Sequence, residues 1–206
     1  MKALCLSLAT LVVLAVNLNA QTETAHRSNA QIVEFVIGIQ EKAVLGIAEA
    51  MPAEKYSFAP GTKMGEFRGV RTFGEQLRHI AVDNYLFAAA ILGEKPAADL
   101  GDIQASENGP AAVVSKADVI AYVKNSFVQM HRAAPAIDDA NAVLPTPGIS
   151  PWPEGTATRL GLALEDLVHT YDHYGQLVEY LRMNGIVPPG SAQPPTVFGR
   201  RAAPRK

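Results

Sequence analysis

Four long stretches of helical periodicity, separated by loops rich in glycine and proline, leave this 206-residue chain few folds to choose from. The first runs from about 27 to 51, with Ile32, Val36, Ile39, Ala43, Ile47 and Ala50 spaced by three and four, and Pro52 stops it. The second runs from about 72 to 92 and is stopped by Gly93 and Pro96. The third begins near Ser115, with Asp118 three residues on in the manner of a capping box. It carries Ile120, Val123, Phe127, Met130, Ala134 and Ile137, and Pro135 is expected to end or kink it. The fourth runs from about 156 to 184, with Gly185 as its stop and Pro188 and Pro189 beyond. The alternation of β-branched residues that marks strands is nearly absent. The expectation is an all-α protein, a four-helix bundle. Its connections over about 52–71, 93–114 and 141–155 are long enough for crossovers.

The chain opens with MKALCLSLATLVVLAVNLNA. A positive Lys2, an apolar run and a small Ala20 form the pattern of a secretory signal peptide over 1–20, cleaved after Ala20. The run is too short for a comfortable membrane span. The bundle is then expected over 21–190, with an extended basic tail over 191–206 and a secreted or periplasmic location. No membrane association is expected after cleavage. Cys5 is the only cysteine, so the mature chain would hold no thiol nucleophile and no thiolate ligand. A domain of this size buries enough surface to fold without disulfides. With 18 basic against 20 acidic residues, nothing suggests a nucleic-acid footprint.

Chemistry concentrates in HTYDH, residues 169–173. On a helix, His169 and His173 project to one side, about 40° apart, which is what a divalent ion needs from two imidazoles. The spacing alone is weak. On the helical wheel the pair lies within or beside an apolar arc that includes Leu162, Leu177 and Tyr180. Imidazoles facing a core need partners, whether neighbouring side chains or a metal. His79 in the second segment edges a similar arc, with Asp83 one turn on. A third imidazole from a facing helix would complete a facial set of three nitrogens and leave positions open for water or substrate. Nitrogen ligands suit Zn, Ni, Fe or Cu alike. Asp83 and Asp166 lie near the same faces and could orient a ligating histidine, or Asp83 could be a fourth ligand. Asp172 is expected to point outward, His26 to be exposed, and His131 to be half-buried at the surface.

The segments MPAEKYSFAP, FGEQLRHIAVDNYLFAAAILG and LVHTYDHYGQLVEYLRMNGIVPP together resemble the DinB-like family of damage-inducible, metal-dependent four-helix-bundle proteins. The resemblance covers about 30–189. It implies an up-down-down-up topology and a divalent metal held by three histidines, which map onto His79, His169 and His173. It points to nickel or zinc and to a homodimer. Better understood relatives look like thiol-dependent transferases or isomerases in which the metal activates a cofactor thiol, a role that suits a metal-lowered thiol pKa.

The expected function is an exported metal-binding protein, possible as a metal-dependent transferase or hydrolase acting on a small molecule, with a non-catalytic metal-binding or stress-response module as the alternative. Asp83 is the candidate for orienting a ligand or moving a proton, and Tyr56, Trp152 and Tyr180 are candidate pocket residues.

Overall fold

The computed structural model describes residues 26–146 and 155–192, with the short pairs 196–197 and 200–201. The expected signal peptide and Trp152 lie outside the described residues. Four long helices form: α1 (Asn29–Ala50), α2 (Phe73–Leu92), α3 (Lys116–Ala133) and α4 (Arg159–Met183). A short α5 (Pro189–Ala192) follows, and Thr196–Val197 pairs antiparallel with Arg200–Arg201.

Each long helix starts where a hydroxyl can satisfy the free N–H groups of its first turn. Ser28 and Gln31 make a reciprocal capping box at α1, and Thr72 and Glu75 make another at α2. Ser115 accepts from the Asp118 N–H at α3, and Thr158 from the Gly161 N–H at α4. The ends are equally local. Met51, held extended before Pro52, closes α1. Gly93, at φ 69°, closes α2 in the left-handed region that only glycine enters freely. Pro135 falls where α3 tightens into a 3-10 turn over Ala134–Ala136.

The helices pack as a ring in which α2 touches α3 and α4, and α1 touches the same two; α1 and α2 stand diagonal. Contacts along each pair set its sense. Arg78 in α2 reaches the Pro110 carbonyl ahead of α3, while Arg132 near the end of α3 reaches Glu94 just past α2, so these two run parallel. Tyr180 of α4 reaches the Arg71 carbonyl and Arg159 reaches that of Ile91, so α2 and α4 run antiparallel. Gln40 meets Asp166 and Lys55 meets Asn184, which makes α1 and α4 parallel. His131 meets Glu34 and Lys124 meets Glu49, which makes α1 and α3 antiparallel. Because α2 and α3 are parallel, the chain between them must travel back along the bundle. That return passage, 93–115, crosses over His79.

Ile47, Met51, Phe73, Leu77, Ile80, Ile91, Phe127, Met130, Leu162, Leu177 and Leu181 are almost wholly buried in the core. Each contributes about 1.5–3 kcal/mol of transfer free energy. On α1 the buried face differs from the stripe expected from periodicity. It is Val33, Ile37, Gln40, Val44, Ile47 and Ala48, while Ile32 and Ile39 are 49% and 46% exposed. The helix is apolar on two sides, so spacing alone could not tell which side meets the core. Gln40, which reads as surface, is buried because its amide donates to the Asp166 carboxylate at 3.0 Å.

Candidate metal centre

α2 and α4 bring His79, His169 and His173 together. His79 and His173 are buried and His169 half-buried. His169 Nε2 lies 3.1 Å from His79 Nε2 and 3.0 Å from His173 Nε2. Two nitrogens bound at about 2.0–2.1 Å to one ion stand roughly 2.9–3.4 Å apart for right-angled to tetrahedral ligation. The three residues could therefore hold a metal ion as they stand.

The outer nitrogens decide what the inner ones are. His79 Nδ1 lies 3.0 Å from the Glu107 carbonyl, which can only accept, so the ring proton sits on Nδ1. His169 Nδ1 lies 2.8 Å from Asp83 Oδ2, off the line of a straight hydrogen bond but close enough to draw the proton to that side. Both Nε2 atoms then present lone pairs to each other. Lone pairs at this distance need an electropositive group between them, either a metal ion or the proton of a charged His169. His173 Nδ1 is buried without a partner.

Charge reinforces this arrangement. Burial, followed by the charges of His169, His79 and Arg71, pushes the His173 imidazole down to about 4. Burial also lowers His79, against the pull of Asp83. His169 is the exception: burial lowers it, but Asp83, Asp166 and Asp172 together raise it above its ordinary value. Two of three imidazoles are thus neutral near pH 7, with lone pairs free for a cation.

The sequence candidates fall into distinct places. Asp83 stands behind His169 and is 3.6 Å from His79 Nε2, outside the converging set of nitrogens. Its position suits a group that orients His169, and with His79 and Glu107 it also forms a second group that could hold an ion. Asp166 is buried beneath the site, and burial first of all pushes its carboxyl up to about 7. With its amide turned to suit its neighbours, Asn84 donates to Asp166 Oδ1 at 2.9 Å. Asp172 is exposed and accepts from Gln176. Tyr180 is buried with its hydroxyl on the Arg71 carbonyl, supporting the wall of the site. Tyr56 is elsewhere: it donates to the Ala48 carbonyl, packs edge-on against Phe73 and lines a separate cleft. His26 is exposed, and His131 is half-buried between Glu34 and Glu41.

A cleft of about 410 Å³ opens beside His173, lined by Arg71, Gln76, Ser106, Asn108 and Gln176 among others. Sequence reasoning missed these residues. Gln76 lies three before His79 and Gln176 three after His173, so each shares its histidine's face, and that spacing was a usable signal. Arg71, Ser106, Asn108 and Glu107 come from loops, where no periodicity marks them.

No curated protein matches the chain. Residues 39–177 match the family model described as the DinB superfamily. That span takes in the greater part of all four helices and all three histidines, and the chain belongs to the DinB superfamily.

Proposed function

We infer that this chain is an exported metalloenzyme whose His79, His169 and His173 hold one divalent transition metal, zinc or nickel, through Nε2. The observation that carries this reading is the convergence of three imidazoles, with His169 Nε2 at 3.1 Å from His79 Nε2 and 3.0 Å from His173 Nε2, while the outer nitrogens of His79 and His169 face the Glu107 carbonyl and Asp83. Three protein donors leave room for water or a substrate atom. Asp83 lies 2.8 Å from His169 Nδ1, which suits a carboxylate that orients this ligand and leaves a fourth position open, although with His79 and Glu107 it also forms a second group that could hold an ion.

When bound, such an ion lowers the pKa of a water or thiol and makes it a nucleophile near neutral pH. The protein's own contribution is position and charge. The return passage brings the Glu107 carbonyl to the outer nitrogen of His79 and fixes its tautomer, and Asp83 holds the His169 ring and balances its charge. The reaction class this suits is transfer or hydrolysis on a small molecule admitted by the cleft, in the manner of a thiol-dependent transferase or a metal-dependent hydrolase. Export rests on the 1–20 pattern, and a secreted or periplasmic site of action follows from it. No helix among the described residues is long and apolar enough to cross a membrane. We also assign a homodimer, supported by an apolar face on α1 and α4 described below.

Metal analysis of tag-free protein, beside a His169→Ala variant checked for intact helicity, tests the reading. About one equivalent of metal, lost in the variant, is expected for a single three-histidine site. Absence of metal in the parent after incubation with Zn²⁺ and Ni²⁺ would sink it. Metal without turnover across thiols, electrophiles and hydrolysable esters would reduce the protein to a metal-binding module.

A further inference from the structure

The cleft beside the histidines is polar on a plan that the metal does not use. Arg71 is half-buried on its wall, at the end of the loop that leads into α2. Its Nε donates to Asn108 Oδ1 at 2.7 Å, and the Tyr180 hydroxyl holds its carbonyl at 3.1 Å. It makes no ion pair among the described residues. Glu75, an acidic neighbour that feels its charge, is turned away to cap α2 on Thr72. The guanidinium charge reaches both His79 and His173, which places it beside the reactive centre. A half-buried guanidinium whose one protein partner is a neutral amide keeps its terminal fork free for an anion.

Gln76 supplies the second half of the pattern. It is 2% exposed, lines the same cleft, and its Oε1 has no hydrogen-bond partner. The amide cannot simply be reversed. Asp172 only accepts, so the Gln176 nitrogen must donate to it, at 2.9 Å. Gln176 Oε1 is thereby the acceptor for Gln76 Nε2, at 2.7 Å. The chain of amides leaves Gln76 Oε1 as an acceptor in want of a donor, a costly state for a buried group.

We propose that this cleft is the recognition subsite of the enzyme and binds a small carboxylate bearing an N–H or O–H donor close to its charge, such as an N-acyl amino acid. The Arg71 fork takes the carboxylate, and Gln76 Oε1 accepts from the donor. Arg71 is thus the specificity-determining residue. The inference deepens the proposed function and rests on the three histidines being the centre beside which such a ligand lies.

The test is NMR titration of the ¹⁵N-labelled full chain, zinc-loaded and metal-free, with metal content measured on every sample. The probes are N-acetylglycine, its neutral amide N-acetylglycinamide, propionate (which lacks the N–H) and inorganic phosphate. N-acetylglycine is expected to bind tightest and to shift the Arg71 Nε–H and Gln76 amide signals. Arg71→Gln should weaken it by roughly 10- to 100-fold, the size of a charge-assisted hydrogen bond, with metal content and N-acetylglycinamide binding unchanged. Arg71→Lys should recover part of the loss, and Gln76→Met should erase the advantage over propionate. Equal binding of acid and amide, or an unchanged Arg71→Gln protein, overturns the subsite. Phosphate binding as tight as N-acetylglycine overturns the carboxylate assignment. Arg71-dependent acid binding in protein that takes up no metal would leave the subsite standing and remove the metal reading instead. Metal uptake without acid discrimination would do the reverse.

Discussion

Asp166 and His173 pull the stability of the metal-free protein in opposite directions as pH changes. Asp166 is pushed up from 3.8 to about 7, chiefly by burial. Between those values the unfolded chain ionises this carboxyl while the folded chain keeps it protonated, so stability falls as pH rises. His173 is pushed down from 6.5 to about 4, again chiefly by burial. Here the unfolded chain takes up a proton first as pH falls, so stability falls with pH. The raised His169 adds to the first trend above pH 6.5, and the lowered His79 adds to the second below it. From about pH 4 to 6.5 Asp166 opposes His173 and His79, so urea midpoints of the metal-free protein should change less with pH than those of a variant lacking one side. Asp166→Asn removes one side, and its stability should climb with pH by up to roughly 3 kcal/mol across that window. His173→Gln should slope the other way. A level profile in Asp166→Asn would show that burial does not hold this carboxyl protonated. Asp83→Asn keeps a polar group near His169 Nδ1 but loses the charge, and affinity for the proposed metal should drop about 10- to 100-fold by competition with a chromophoric chelator.

Among the elements, the return passage between α2 and α3 matters most to the site, because it delivers the Glu107 carbonyl to His79. Glu107 itself sits at φ 43°, a conformation that costs a non-glycine residue energy and persists only where surroundings impose it. Those surroundings include a close backbone approach: a Cβ on Gly101 would meet the Gly109 carbonyl oxygen at 2.5 Å, with Gly101 at φ 71°. Gly101→Ala should therefore displace the passage, free His79 to turn, and weaken metal binding by roughly tenfold or more while far-UV circular dichroism stays unchanged. Unaltered metal affinity would mean that the Glu107 carbonyl does not set the His79 tautomer. A plain helix-capping change behaves differently. Thr72→Ala should cost about 1 kcal/mol of stability in urea unfolding. The helices and most of their ends were legible in the sequence because caps and stops are local chemistry: Ser115, Gly93 and Pro52 each act on their own turn, and the structure adds the capping boxes at Ser28 and Thr72. The histidine pair was legible for the same reason, being set by one helical turn. Glu107 and Arg71 were not, since loop residues meet a site through the path of the whole chain. The buried face of α1 was not legible, because two apolar stripes compete there and only packing chooses between them.

The homodimer proposed above would use the stripe that packing rejected. Ile32, Phe35 and Ile39 on α1 are roughly half exposed, and so are Leu164 and Val168 on α4, with Tyr171 at 37%. Spacings of three, four and seven put each set on one line along its helix. On α1 the line leans toward the side that carries Gln40 and Ile47, which is the side facing α4. On α4 it leans toward the side of Ala163 and Leu181, which faces α1. The helices are parallel neighbours, as the contacts of Gln40 with Asp166 and Lys55 with Asn184 show, so the two lines form one continuous apolar face. Contiguous exposed apolar faces are where proteins associate. A second copy suits this one. A two-fold axis through the α1–α4 face would set α1 against its symmetry mate and bury both stripes at once, as an isologous dimer requires. The histidine cleft, between α2 and α4 on the other side, would stay open. Light scattering on the size-exclusion peak should give twice the chain mass, and Phe35→Glu or Val168→Glu should halve it by placing unpaired charge in the contact. Metal content of the monomeric variants should be unchanged. A parent protein that runs as a monomer at micromolar concentration would instead assign the face to a different partner, and a dimer that survives both substitutions would move the interface elsewhere.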